Sequence, residues 1–202
     1  MRVAVLASGE GTNLQALLDR IHGRDGIAVV AVASDKPAAR ALERARAANV
    51  PALVFPADDY GDRAVRDRAI AAWLKQQDTE LVVLAGYMQL LSPEFLHAFG
   101  GRVINVHPAL LPAFPGLHAV EQALAYGVKV FGITIHFVDE GIDSGPVILQ
   151  QAVELPEAST VEDVMRTLQP LEHELLPEAV RLIAAGKVRL DPNNARRVVI
   201  ER

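Results

Sequence analysis

Residues 102–118 read RVINVHPALLPAFPGLH, and residues 132–148 read GITIHFVDEGIDSGPVI. Apolar residues flank Asn105 in RVINVH, the pattern of a short buried strand. Prolines at 108, 112 and 115 forbid regular structure beyond it. A second strand is expected over VFGITIHFV, running into the turn-rich loop DEGIDSGP that carries Asp143. Ligands of open α/β sheets gather outside the carboxyl ends of the strands. Asn105, His107 and Asp143 therefore form the candidate reaction centre.

Working outward, Arg2 to Ala7 reads as a buried strand and Ser8-Gly9-Glu10-Gly11-Thr12-Asn13 as a turn. Thr12 or Asn13 is expected to cap a helix with the apolar face Leu14, Leu17, Leu18 and Ile21. Strand, glycine loop and helix N-terminus is a geometry that binds phosphate, because free N–H groups and the helix dipole favour an anion. A tight turn without a ligand accounts for the same residues. A dinucleotide fingerprint would need glycine where Leu14 stands, and no P-loop Lys follows. Strands are expected at 27–34, 51–55 and 81–85, and helices at 38–49, 62–77 and from Ser92-Pro93 onward. Asp35-Lys36-Pro37 reads as a surface turn. Val65, Ile70, Trp73 and Leu74 are the expected core of the 62–77 helix.

Arg63 in the first turn of that helix opposes the dipole, which suggests a use elsewhere, though a solvated arginine also fits. Met88, Leu90 and Leu91 follow a strand end, where apolar side chains either line a flat pocket or pack beneath the next helix. The alternation predicts an α/β, doubly wound, mostly parallel sheet with helices on both faces. After the central loops come a helix from His118 or Ala119 to Tyr126, a strand over 146–153, and a helix from Ser159-Thr160 to Ala185 with kinks expected at Pro170 and Pro177. A hairpin or edge strand is expected over 187–202.

Half of the 202 residues are apolar, 22% are charged and the net charge is −5, as in an ordinary globular chain. No basic stripe suggests nucleic acid or a membrane surface, and no apolar run is long enough to span a bilayer. The absence of cysteine excludes disulfides, thiol nucleophiles and Cys-ligated metal. The amino terminus reads as a strand rather than a secretory signal, so a cytoplasmic protein is expected. His97, His118, His136 and His173 read as structural and His22 as a surface residue. A zinc site from His107, His118 and His136 lacks any close-spaced ligand pair, so no metal is expected.

Asn offers an uncharged N–H to an oxygen that gains charge. A protonated His offers a charged one, which a neighbouring carboxylate keeps in place. Direct acyl transfer to an amine needs that set, with a carboxylate taking the amine proton through water. The plainer account of Asp143, between glycines at 141 and 145, is a turn cap.

The runs NVHPALLPAFPG and GITIHFVDEGIDSGPVI, with VLASGEGTNLQAL at the start, resemble the folate-dependent formyltransferases. The resemblance covers nearly the whole chain and weakens after about Asp191. It implies a Rossmann-like formyltransferase fold in one domain over 1–202, with a phosphate- and nucleotide-binding half (1–100) and a catalytic and folate-binding half (101–202). It also implies transfer of a formyl group from 10-formyltetrahydrofolate, as cosubstrate, to the amino group of glycinamide ribonucleotide in purine synthesis. By the resemblance His107 is the catalytic imidazole, Asn105 the oxyanion donor and Asp143 the partner of His107. Gly11, Thr12 and Asn13 match the phosphate loop, and Gln169 and Glu172 the segment contacting the ribonucleotide. Arg63, Met88, Gln89, Leu90, Leu91, Asn105, Asp139, Glu140, Gly141, Ile142 and Asp143 match the folate-binding positions. The family commonly has Arg where Gln89 stands and Ser where Ala109 stands. Members that formylate charged tRNA are expected to carry an extra C-terminal domain, and formyltetrahydrofolate hydrolases an N-terminal regulatory one; neither is visible here. A folate- or nucleotide-binding module without turnover is the reading from another class. A homodimer is compatible with the sequence.

Overall fold

β1 (Arg2–Leu6) is buried at every position after Arg2, and β4 (Leu81–Leu84) at every position. Strands apolar throughout have both faces covered, the signature of a parallel sheet. The structure, a computed structural model, describes residues 1–201. It divides into two compact units, Met1–Ile104 and the remainder from Asn105.

In the first unit β1 is followed by α1 (Thr12–Arg20), β2 (Ala28–Ser34), α2 (Arg40–Ala47), β3 (Ala52–Val54), α3 (Arg63–Gln76), β4 and α4 (Pro93–Ala98). The strand order is β3-β2-β1-β4, and every pair within it is parallel. The chain runs outward from β1 to β3 and then returns to the other side of β1. The loops after β1 and β4 therefore lie at a reversal of strand order, where such sheets form a crevice. Ser8 N–H donates to the Gly86 carbonyl at 3.0 Å, and Met88 N–H to Ser8 Oγ at 2.9 Å, tying these loops together.

Three expectations for this unit are corrected. The N-cap of α1 is Gly11, in the left-handed region at φ 68°, and Thr12 is already the first residue of the helix. A Cβ on Gly11 would lie 2.7 Å from the Cα of Ala41 on α2, so the close approach of that helix requires glycine. Val65 is 41% exposed, and the buried face of α3 comprises Arg66, Asp67, Ile70, Ala71 and Leu74. Asp62 caps α3 through Ala64 and Val65 N–H, and this start turns Val65 outward. Asp35 is buried rather than on a surface turn, and its Oδ2 accepts from Gln89 Nε2. Trp73 is half-buried against the Phe55 ring, a packing contact.

The second unit holds most of β5 (Val103–His107), then α5 (Ala119–Tyr126), β6 (Val130–Phe137), β7 (Val147–Glu154), α6 (Val161–Ala184), β8 (Val188–Asp191) and β9 (Asn194–Ile200), with strand order β5-β6-β7-β9-β8. β6 and β7 are antiparallel, with a register shift between Ile135 and His136. β9 pairs parallel to β7, and β8 antiparallel to β9, so the expected hairpin forms and ends on an edge strand. α6 runs unbroken through Pro170 and Pro177. Its buried ladder Val164, Leu168, Glu172, Leu176 and Val180 recurs every fourth residue, and α6 packs on β6 and β7. That burial offsets the backbone bonds lost at the prolines. Among the described residues no helix is long and apolar enough to cross a membrane.

Candidate active site

Alternation along β5 puts Asn105 and His107 on one face, and His107 is only 4% exposed. β6 places Thr134 and His136 in the same alternating way. Beyond β6, Gly145 lets the chain turn back tightly: a Cβ there would fall on the Phe137 carbonyl oxygen. Asp143 sits in that turn at φ 47°. Its carboxylate meets both strands. His107 Nδ1 is 3.3 Å from Asp143 Oδ2, and Asn105 Nδ2 donates to Asp143 Oδ1 at 3.3 Å. Gly116 N–H donates to Asp143 Oδ2 at 2.7 Å. The structure thus brings together the three residues expected to form the centre.

His107 Nε2 lies 2.8 Å from the Phe114 carbonyl oxygen. Both ring nitrogens therefore face oxygens that only accept. An imidazolium satisfies both contacts, whereas a neutral ring satisfies one. Burial by itself would raise the Asp143 carboxyl. Hydrogen bonds from His136 and Gly116 and the charges of His107 and His136 outweigh it, holding Asp143 below the usual carboxylate range.

Sequence reasoning assigned His136 a structural role, but it belongs to this cluster. Its Nδ1 donates to the Phe137 carbonyl at 2.8 Å. Its Nε2 is 3.2 Å from Asn105 Nδ2 and 3.6 Å from Asp143 Oδ1. The neutral ring accepts from Asn105, whereas the charged ring donates to Asp143. The alternation of polar residues in ITIHF was the available signal. Thr134 was missed too. Its Oγ1 donates to the Ala109 carbonyl at 2.7 Å and accepts from Leu111 N–H at 3.1 Å, fixing the proline loop.

The remaining expected residues fall as follows. In the second unit, Asp139 Oδ1 accepts from Gly141 N–H and Ser144 Oγ, so this side chain closes its own loop. Glu140 and Ile142 are exposed. Arg196 on β9 donates to the Ser144 carbonyl and braces that loop. Gln169 is half-buried and Glu172 buried on α6. In the first unit, Gly11 and Thr12 open α1, where the first N–H groups lack intrahelical acceptors, and Asn13 is buried there. Arg63 is exposed at the start of α3, and Met88 and Leu90 are 55% and 57% exposed. Leu91 is half-buried. Gln89 faces inward: its Oε1 accepts from Arg66, and its Nε2 donates to Asp35. Among the described residues no group of His, Asp and Glu has the arrangement to hold a metal ion.

A family model described as formyl transferase matches residues 1–180. The chain belongs to the formyl transferase family. Phosphoribosylglycinamide formyltransferase of Bacillus subtilis (strain 168) is 44% identical over 181 residues, covering 89% of this chain and 93% of that protein. The protein of the same name from Mycobacterium tuberculosis (strain CDC 1551 / Oshkosh) is 45% identical, covering 93% of this chain and 86% of that protein. The crystal structure of glycinamide ribonucleotide transformylase 1 from Symbiobacterium toebii superposes with a TM-score of 0.95 at 49% identity. The match covers the whole of this chain and 94% of that one. As a formyl transferase, the chain has the mostly parallel α/β sheet of those structures.

Proposed function

We propose that the chain transfers the formyl group of 10-formyltetrahydrofolate to the amino group of glycinamide ribonucleotide in purine synthesis. The products are the N-formyl ribonucleotide and tetrahydrofolate. The observation that carries the reading is His107, held between the Asp143 carboxylate and a second oxygen acceptor at its Nε2. The relatives named for this activity support it.

The amine nitrogen attacks the formyl carbon, and the carbonyl electron pair moves to oxygen. His107 Nε2–H donates to that oxyanion, which takes the acceptor place now filled by the Phe114 carbonyl. Asn105 turns one N–H toward the same oxygen. Each such donor is worth on the order of 10² to 10³ in rate. As the tetrahedral centre collapses, the bond from the formyl carbon to folate N10 breaks. The amine gives up one proton, which Asp143 accepts through water and passes back through that water to N10, so that N10 leaves as an N–H. Gly11, Thr12 and Asn13 hold the ribonucleotide phosphate at the start of α1, and Gln169 and Glu172 bind its other end. Arg63, Met88 to Leu91 and the Asp139–Asp143 loop serve the folate. The protein works in the cytoplasm, in keeping with a chain that has no cysteine.

The test is formyl transfer followed by folate absorbance, for wild type and Asp143→Asn, with and without ribonucleotide. Ribonucleotide-dependent turnover that falls by on the order of 10² to 10³ in the variant is expected. Folate consumption without ribonucleotide would show hydrolysis instead. Binding without turnover would reduce the protein to a binding module.

A further inference from the structure

The segment from Gly86 to Ser92 has neither helix nor strand, yet its residues alternate in exposure. Tyr87 is buried and Gln89 turns inward, whereas Met88 and Leu90 face out. A slip of one residue would exchange those faces, so something must hold the register. Beneath the segment lies Arg66 of α3, 2% exposed, paired with Asp67, which is 0% exposed. Arg66 Nε and Nη2 donate to Asp67 Oδ1 at 3.0 and 2.8 Å. Two further donors of the fork reach the segment: Nη1 bonds Gln89 Oε1 at 3.1 Å, and Nη2 bonds the Leu90 carbonyl at 3.2 Å. Asp67 Oδ2 accepts from Ser92 N–H at 2.6 Å, and Gln89 Nε2 passes the link on to Asp35 Oδ2 at 3.1 Å.

A buried ion pair is a poor source of net stability, because desolvation offsets most of the attraction. Its better attested use is to fix a register. Here four of the five guanidinium N–H donors are placed, two within the pair and two on Gln89 and Leu90, and the second oxygen of Asp67 is spent on Ser92.

We propose that Arg66, acting with Asp67 through Gln89 and Leu90, is a positioning residue that sets which face of the 87–91 segment meets the cosubstrate. This rests on the reading above that Met88 to Leu91 bind folate. The clamp also gives position 89 a different task from presenting a charge. Gln89 is a bridge between Arg66 and Asp35, and the cation near this segment is buried and neutralised beneath it. Met88 and Leu90 are thereby displayed as an apolar surface for a flat ring, and Arg63 is the exposed cation of the set.

The experiment is steady-state kinetics on the full chain, varying 10-formyltetrahydrofolate and glycinamide ribonucleotide separately, for wild type, Arg66→Lys and Gln89→Ala. Gln89→Ala leaves the buried pair intact, so it tests the clamp even where Arg66→Lys fails to fold. Both variants are expected to raise the folate KM about tenfold and to leave the ribonucleotide KM within about twofold. Amide hydrogen exchange over residues 87–92, measured without substrate, is expected to quicken by about tenfold or more. Faster exchange with an unchanged folate KM overturns the proposal, as does an equal rise in both KM values. Unaltered exchange overturns it as well. A wild-type protein that shows no saturation with folate overturns the parent reading instead, and this one falls with it.

Discussion

His136→Phe keeps the volume of a buried ring but removes the Nε2 that lies 3.2 Å from Asn105 Nδ2. Turnover is expected to fall about tenfold or more as the amide loses its orientation, while His136→Gln, which restores an acceptor, recovers part of it. A His136→Phe protein with wild-type kcat would sink the idea. Asp143 has a measurable pH signature. Its folded carboxyl lies below its ordinary value, so its contribution to stability is complete above the unfolded pKa of about 3.9 and lost as pH falls through the lower folded value. The gap in unfolding free energy between wild type and Asp143→Asn is expected to be constant above about pH 5 and to close only below about pH 4. A gap unchanged down to pH 2 would contradict the assignment of these contacts. At this scale Asn105, His107 and Asp143 were legible because their residue types carry chemistry that an apolar strand and a plain turn do not need. The partners of His107 and Asp143 at Phe114 and Gly116 were not, because backbone groups leave no mark on sequence. Ala109 is a similar case: what holds it is its carbonyl, bound by Thr134, and its buried methyl says nothing of that contact.

Gly11→Ala forces a side chain into the left-handed region and against Ala41 of α2. A loss of about 1–3 kcal/mol in urea unfolding is expected, together with a raised KM for the phosphate-bearing substrate. An Ala variant as stable as wild type would mean that α2 moves aside without cost. Thr160 heads a capping box with Asp163 at the start of α6. Thr160→Ala is expected to cost about 1 kcal/mol by the same measurement, with turnover at saturating substrate unaffected. Element types were readable throughout, since apolar runs and helical periodicity follow from burial alone. What misled was the face of α3: Val65 suits a core by composition, but the Asp62 cap and the Arg66–Asp67 pair set the rotation of the helix. The unbroken course of α6 through two prolines was equally hidden, because the burial that sustains it comes from β6 and β7.

The net charge of −5 and a sequence pI near 5.7 belong to the whole molecule. Solubility in low salt is expected to pass through a minimum near that pI and to rise on either side, which light scattering across pH would show. A monotonic trend would point to large charge shifts on folding or to binding of buffer ions. The sequence by itself determined the α/β class, the order of strands and helices, the candidate trio and the family resemblance. These depend on periodicity, turn chemistry and local motif, which are properties of neighbouring residues. Only the tertiary structure decided that His136 joins the trio, that Asp35 is buried, and that Gln89 turns inward onto Arg66. Each of those is a contact between residues 23 to 54 positions apart, and such contacts are set by how strands and helices pack. Local sequence does not encode which buried polar group will meet which partner.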